Sequence, residues 1–239
     1  MGEVLYDIPF DEWVAHVFDH KVHVPQWYFD IDSDDWDGPS QITVTYITRL
    51  FENPERYLEK FSEEQLEQGF WYLSGTSEYM FALLDQCVPM EQRTRCIRSF
   101  CSLFEQLFAR RCSPHLSHIG EVRANPLNGA RYMWWDNIPI CGEPNDRSRH
   151  DIDREILDVM NNILSVDSVA CQESSLHGLG HWEMYYSARV HDIIDTFLAD
   201  RQSIRKELAD YGSVESPMNQ PNGKYMGLTN GLIRSPTPL

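Results

Sequence analysis

The stretch SVACQESSLHGLGHWEMYYSARVHDIIDTFLA, residues 168–199, decides the fold class. Val169, Ala170, Ser174, Ser175, Leu176, Leu179 and Gly180 recur at helical spacing in its first half. Val190, Ile193, Ile194 and Phe197 resume that spacing in its second half. Apolar or small residues at i, i+3, i+4 and i+7 set one face of a 3.6-residue helix against a neighbour. The pattern predicts helices over 168–184 and 187–199, joined by a turn into a hairpin whose small inner residues let the backbones approach.

Upstream, residues 151–164 repeat the period with Ile152, Ile156, Leu157, Met160 and Ile163 on one side. Pro89 suits a first helical turn, and a stripe of Cys96, Ile97, Phe100, Cys101, Phe104, Leu107 and Phe108 carries that helix to about Arg111. Ser62 with Gln65 three positions on is a capping box. It predicts a helix bearing Leu66, Phe70 and Leu73 and ending near Gly75. Pro9, ahead of Trp13, Val14, Val17 and Phe18, marks another helix start, as does Asn53-Pro54. Residues 42–51 have helical apolar spacing but a Thr/Val/Ile content that also suits a strand. Asn125-Pro126 restarts a short helix through Trp135, and 202–211 reads as a last one. Beyond Gly212 prolines and glycines fill a tail in which Tyr225, Met226, Leu228 and Leu232 are the expected anchors. The expectation is an all-α chain: one helical domain over 1–212, built as an irregular array of helical hairpins, and an irregular tail over 213–239.

The 168–199 pattern resembles a HEAT-type helical hairpin, with weaker hairpins at 62–86 and 150–184. The run from Cys171 to Trp182, together with Arg111-Cys112-Ser113-Pro114-His115-Leu116-Ser117-His118, also resembles a group of uncharacterised bacterial proteins. That resemblance implies a bacterial, all-helical protein and carries no activity with it.

The chain of 239 residues holds 37 acidic and 20 basic side chains, a net charge of −17. That charge disfavours direct binding of nucleic acid or an anionic membrane. Residues 1–90 hold 18 of the acids and only 4 of the bases, so the acidity is concentrated in the first third. No run approaches the ~20 apolar residues of a membrane span. The acidic start MGEVLYDIPFDEW lacks the apolar core of a secretory signal, which leads to a cytoplasmic, reducing expectation. The six cysteines are then read mainly as small buried hydrophobes.

Three clusters carry candidate chemistry. Asp30, Asp32, Asp34, Asp35 and Asp37 crowd one loop between Trp27-Tyr28-Phe29 and Trp36. A calcium loop is not formed, because Asp35 stands where Gly is required and Gln41 where a bidentate Glu belongs. The remaining readings are a solvated acidic loop, a looser site for a hard cation, or acids flanked by aromatics that bind a basic surface. Glu173, His177 and His181 lie at i, i+4 and i+8, one stripe of a helix, and such histidine pairs can hold zinc. Gly178 occupies the position of the zinc-protease Glu, so that mechanism is unsupported. Gly178 and Gly180 each weaken a helix by about 1 kcal/mol against Ala, which suggests that another backbone packs there. The alternative is a hydrogen-bonded histidine pair with no metal. Cys112, His115 and His118 form C-x2-H-x2-H, which needs a fourth ligand from His177, His181 or Cys171 to make a structural zinc site. Here the alternative is a helix cap with buried histidines. Cys171 with His177 or His181 is a remote nucleophile pair, since six positions on a helix point them apart. No G-x-S-x-G, P-loop or G-x-G-x-x-G motif occurs.

The first expectation is a non-enzymatic, cofactor-free acidic module that binds a basic protein, in one version an immunity-type inhibitor of a basic bacterial toxin. The second is a metal-dependent hydrolase whose zinc gathers Cys112, His115, His118, Glu173, His177 and His181. The third is a structural subunit whose acidity serves solubility.

Overall fold

The computed structural model describes residues 4, 5, 7–122, 125–199 and 204–215. The fold is all-α, as the apolar periodicity requires. Helix α1 is Phe10–Phe18, α2 Ser40–Glu52, α3 Pro54–Leu58 and α4 Glu63–Trp71. A helix over Met90–Leu103, α5, runs through a π-turn at Phe104–Phe108 into α6, Ala109–Arg111. The short α7, Leu127–Tyr132, and α8, Trp134–Asn137, precede α9, His150–Leu164, α10, Val169–Leu198, and α11, Lys206–Glu215. A two-residue parallel pairing, β1 (Val4–Leu5) with β2 (Asp35–Trp36), is the one strand pair among the described residues.

Local signals explain most of these elements. The capping box is present in both directions: Ser62 Oγ accepts from Gln65 N at 3.2 Å, and Gln65 Oε1 from Ser62 N at 3.1 Å. The ambiguous 42–51 run is helical because Val44, Ile47, Leu50 and Phe51 bury at 3.6-residue spacing, while Ile42 stays exposed. Thr48 is tolerated in that buried face because its hydroxyl donates to the Val44 carbonyl at 2.6 Å.

Helices pack in a row, α2 on α5, α5 on α9, α9 on α10 and α10 on α11, with α7 and α8 laid against α10. Trp134 sits at the centre, fully buried. The rings of Phe51, Phe70, Phe100, Phe104 and Phe108 surround it at centroid distances of 5.5–6.4 Å. Each such pair adds about 0.5–1.5 kcal/mol beyond simple area burial.

Two expectations need adjustment. Residues 168–199 form two helices, as expected, and these meet at one non-helical residue, Tyr186 (φ −132°, ψ 46°), so the joint is a kink rather than a multi-residue turn. The Tyr186 hydroxyl donates to Asp153 at 2.8 Å and ties this kink to α9. The last helix is displaced to Lys206–Glu215, so Gly212 lies inside it rather than ending it. Within the proposed tail, residues 216–239 and the anchors Tyr225, Met226, Leu228 and Leu232 fall outside the described residues.

Among the described residues no helix is long and apolar enough to cross a membrane. All six cysteines are unbridged. Cys96 and Cys171 are buried as expected, whereas Cys87 and Cys141 are exposed.

Candidate functional site

The acidic loop forms one wall of a cleft of about 950 Å3. The opposite wall comes from the irregular turns that follow α4, a π-turn at Tyr72–Thr76 and a 3-10 turn at Tyr79–Leu83. Six carboxylates line it, those of Asp30, Asp34, Asp35, Asp37, Glu78 and Asp85, and among the described residues no Lys or Arg does. Its aromatic surface is Trp27, Tyr28, Trp36, Tyr72, Tyr79 and Phe81.

Strand alternation sets the polarity of the loop. Pairing of Leu5 with Trp36 turns the indole inward and leaves Asp35 and Asp37 exposed on either side of it. Trp36 is only 2% exposed, stacked on Tyr46 and edge-on to Trp13 and Tyr79. It lines the cleft as part of its packed wall. Gly38 is required beside it, since a Cβ there would lie 2.0 Å from the indole. Asp32 does not line the cleft; its N–H donates to Asp30 Oδ1 at 3.0 Å.

The floor is a hydrogen-bonded aromatic cluster. The Tyr72 hydroxyl lies 3.0 Å from Asp35 Oδ1, to which it donates, 3.2 Å from the Tyr79 hydroxyl and 3.4 Å from His16 Nε2. Burial, reinforced by neighbouring Tyr79 and Asp35, pushes the Tyr72 phenol far up and keeps it neutral. Burial, and secondly the charge of His20, holds His16 below the usual histidine range, although Asp35 and Asp34 pull the other way. An uncharged His16 leaves the carboxylates above it uncancelled. Phe29 and Ile31 at the loop, and Phe81 in the lining, remain exposed. Carboxylates combined with accessible ring faces suit an ammonium or guanidinium group.

The wider acid excess is partly neutralised within the fold. Glu52 pairs with Arg95 at 2.8 Å, Glu63 with Arg111 at 2.7 Å, and Glu55 with Arg110.

The expected six-ligand metal site is not assembled. Glu173 is fully buried and holds His118 through both N–H groups, at 2.9 Å from the backbone and 2.8 Å from Nδ1. Its other oxygen accepts from the fully buried Arg131 at 2.9 Å. Glu173 is thus committed to an internal ion pair, and Cys112, His115 and His118 converge on no common point. Burial pushes the Cys112 thiol up to about 12 and the Cys171 thiol up to about 11, and Cys171 Sγ contacts the Phe104 carbonyl at 3.7 Å. Burial thus favours the neutral Cys171 thiol over the thiolate that a nucleophile needs.

His177 and His181 do converge, with a third residue that sequence reasoning missed. Asp136 on α8 lies 2.8 Å from His177 Nε2 and 2.9 Å from His181 Nε2. Burial acts to raise the Asp136 carboxyl, but hydrogen bonds from His177 and His181, with their charge, carry it well below the usual carboxylate range. Gly178 makes the meeting possible: a Cβ there would sit 2.6 Å from Trp135 Cγ, so only glycine lets α8 lie so close to α10. The glycine was a sequence signal for a close approach, but nothing local named Asp136 as what approached. Tyr72 and Tyr79 were likewise hidden, because the π-turn that brings them together has no periodic signature.

No protein-family model, curated protein or solved structure matches the chain.

Proposed function

We propose that the protein is a binding module whose acidic, aromatic cleft receives a cationic segment of a partner protein, an Arg or Lys side chain entering between the acidic loop and the Tyr72–Tyr79 wall. The observation that carries this reading is the lining itself: six carboxylates beside aromatic rings, with no basic side chain among the described lining residues. The net charge of −17 supports it by steering basic partners toward the molecule. An immunity-type inhibitor of a basic toxin is the narrower form of this reading, with the cleft engaging the toxin's basic surface.

Titration calorimetry with a hexa-arginine peptide tests it. Binding is expected at low ionic strength and is expected to weaken steeply with added salt. The triple variant Asp34→Asn, Asp37→Asn, Glu78→Gln removes three lining charges. At about 0.5 kcal/mol for each exposed pair this amounts to about 1.5 kcal/mol, roughly a tenfold loss of affinity. Binding that ignores both salt and the triple variant defeats the proposal.

A further inference from the structure

The geometry points to a second, separate site: Asp136, His177 and His181 form an open binding site for a divalent transition-metal ion of the zinc class. The three ligand atoms already lie within 4.8 Å of one another. Zinc bonds of about 2.0–2.1 Å in a tetrahedron set neighbouring ligand atoms about 3.3 Å apart. The two Nε2 atoms stand 3.3 Å apart. The carboxylate contacts of 2.8 and 2.9 Å need to open by only about 0.5 Å to reach that spacing. Two imidazoles and one carboxylate are the donor set of zinc and its neighbours, not of calcium or magnesium, which take oxygen.

Three further features prepare the site. His177 and His181 are one turn apart on α10, so their relative position is fixed by helix geometry. The Tyr211 hydroxyl, from α11, lies 2.9 Å from His177 Nδ1. Without metal, His177 Nε2–H donates to Asp136; a metal displaces that proton, and a proton on Nδ1 donated to the Tyr211 oxygen then leaves the Nε2 lone pair for the ion, the outer-shell arrangement of metal-bound histidine. The Tyr132 ring stacks on His177 at a centroid distance of 4.5 Å and fixes its plane. His181 remains 47% exposed, so a fourth coordination position opens to solvent. Three protein ligands with one open position describe a site able to hold a reactive water rather than a closed structural centre.

The test uses the full-length chain without an affinity tag, stripped of metal by a chelator and titrated calorimetrically with zinc chloride. One saturable zinc per chain is expected, with affinity falling at least tenfold in Asp136→Asn and in His181→Ala. His181 is half exposed, so its removal leaves the fold intact, which circular dichroism checks. Cys112→Ser and His115→Gln are expected to leave zinc binding unchanged, as is the triple cleft variant, so this site and the cleft can fail separately. Absence of saturable binding, or binding that survives both ligand variants, or binding lost in Cys112→Ser, overturns the assignment.

Discussion

Replacing Gly178 by Ala links the packing directly to the histidine site. The added Cβ would meet Trp135 Cγ at 2.6 Å, Trp135 Cδ1 at 2.7 Å and Met160 Sδ at 2.9 Å. Carbon atoms normally rest about 3.5–4.0 Å apart, so the indole must retreat by about 1 Å. It has little room, being 4% exposed and stacked on Phe104 at a 21° interplanar angle. Overpacking of this kind costs about 1–3 kcal/mol, against about 1 kcal/mol returned by the better helix propensity of Ala. The net expectation is a loss of about 1 kcal/mol, a fall in Tm of about 2–4 °C for a chain of this size. Because Asp136 follows Trp135 on the same short helix, zinc affinity is expected to fall as well. Urea denaturation gives the stability and calorimetry the affinity. A Gly178→Ala protein stabilised by about 1 kcal/mol, as an uncrowded helical glycine would be, refutes the close approach of α8 to α10.

Four other outcomes follow from the same geometry. Gly38→Ala drives a Cβ into a Trp36 ring already enclosed by Trp13, Tyr46 and Tyr79, and is expected to cost about 1–3 kcal/mol in thermal denaturation while weakening hexa-arginine binding. Glu173→Gln leaves Arg131 buried without its counter-charge and is expected to cost about 3–5 kcal/mol in urea denaturation; a near-neutral result contradicts the ion pair. Burial first, then the charge of His20, lowers the His16 pKa, so the unfolded chain takes up a proton near pH 6.5 that the folded chain refuses until lower pH. Stability contributed by a neutral His16 is therefore complete above pH 6.5 and lost as pH falls below it, and the Tm gap between wild type and His16→Gln should narrow in that direction. Tyr211→Phe removes the oxygen beside His177 Nδ1 and is expected to lower zinc affinity by about tenfold with unchanged stoichiometry.

The helices were legible because their signals are local. The capping box at Ser62, the proline at 89 and the stripe from Cys96 to Phe108 each specify an element without reference to the rest of the chain. The break between helices 168–184 and 187–199 was legible too and falls at Tyr186; that it is a kink rather than a turn was not, since both leave the same apolar pattern. Site residues divide in the same way. The aspartate loop and the His177–His181 pair are visible in sequence because their members are neighbours along the chain or along one helix. Asp136 lies 41 positions from His177, and Tyr72 lies 37 from Asp35, so both contacts exist only after the helices pack. The expected role of Glu173 failed for a related reason: the stripe it shares with His177 and His181 runs from the core to the surface, and its buried end meets Arg131 while His181 reaches solvent.

The most direct test of the cleft is to see where a cation lands. Backbone amide shifts of 15N-labelled protein, followed during hexa-arginine addition, should move together over residues 27–43 and 72–85, the two walls of the cleft. Shifts scattered over the acidic surface, or centred on other carboxylates such as Glu105 and Glu155, would contradict it.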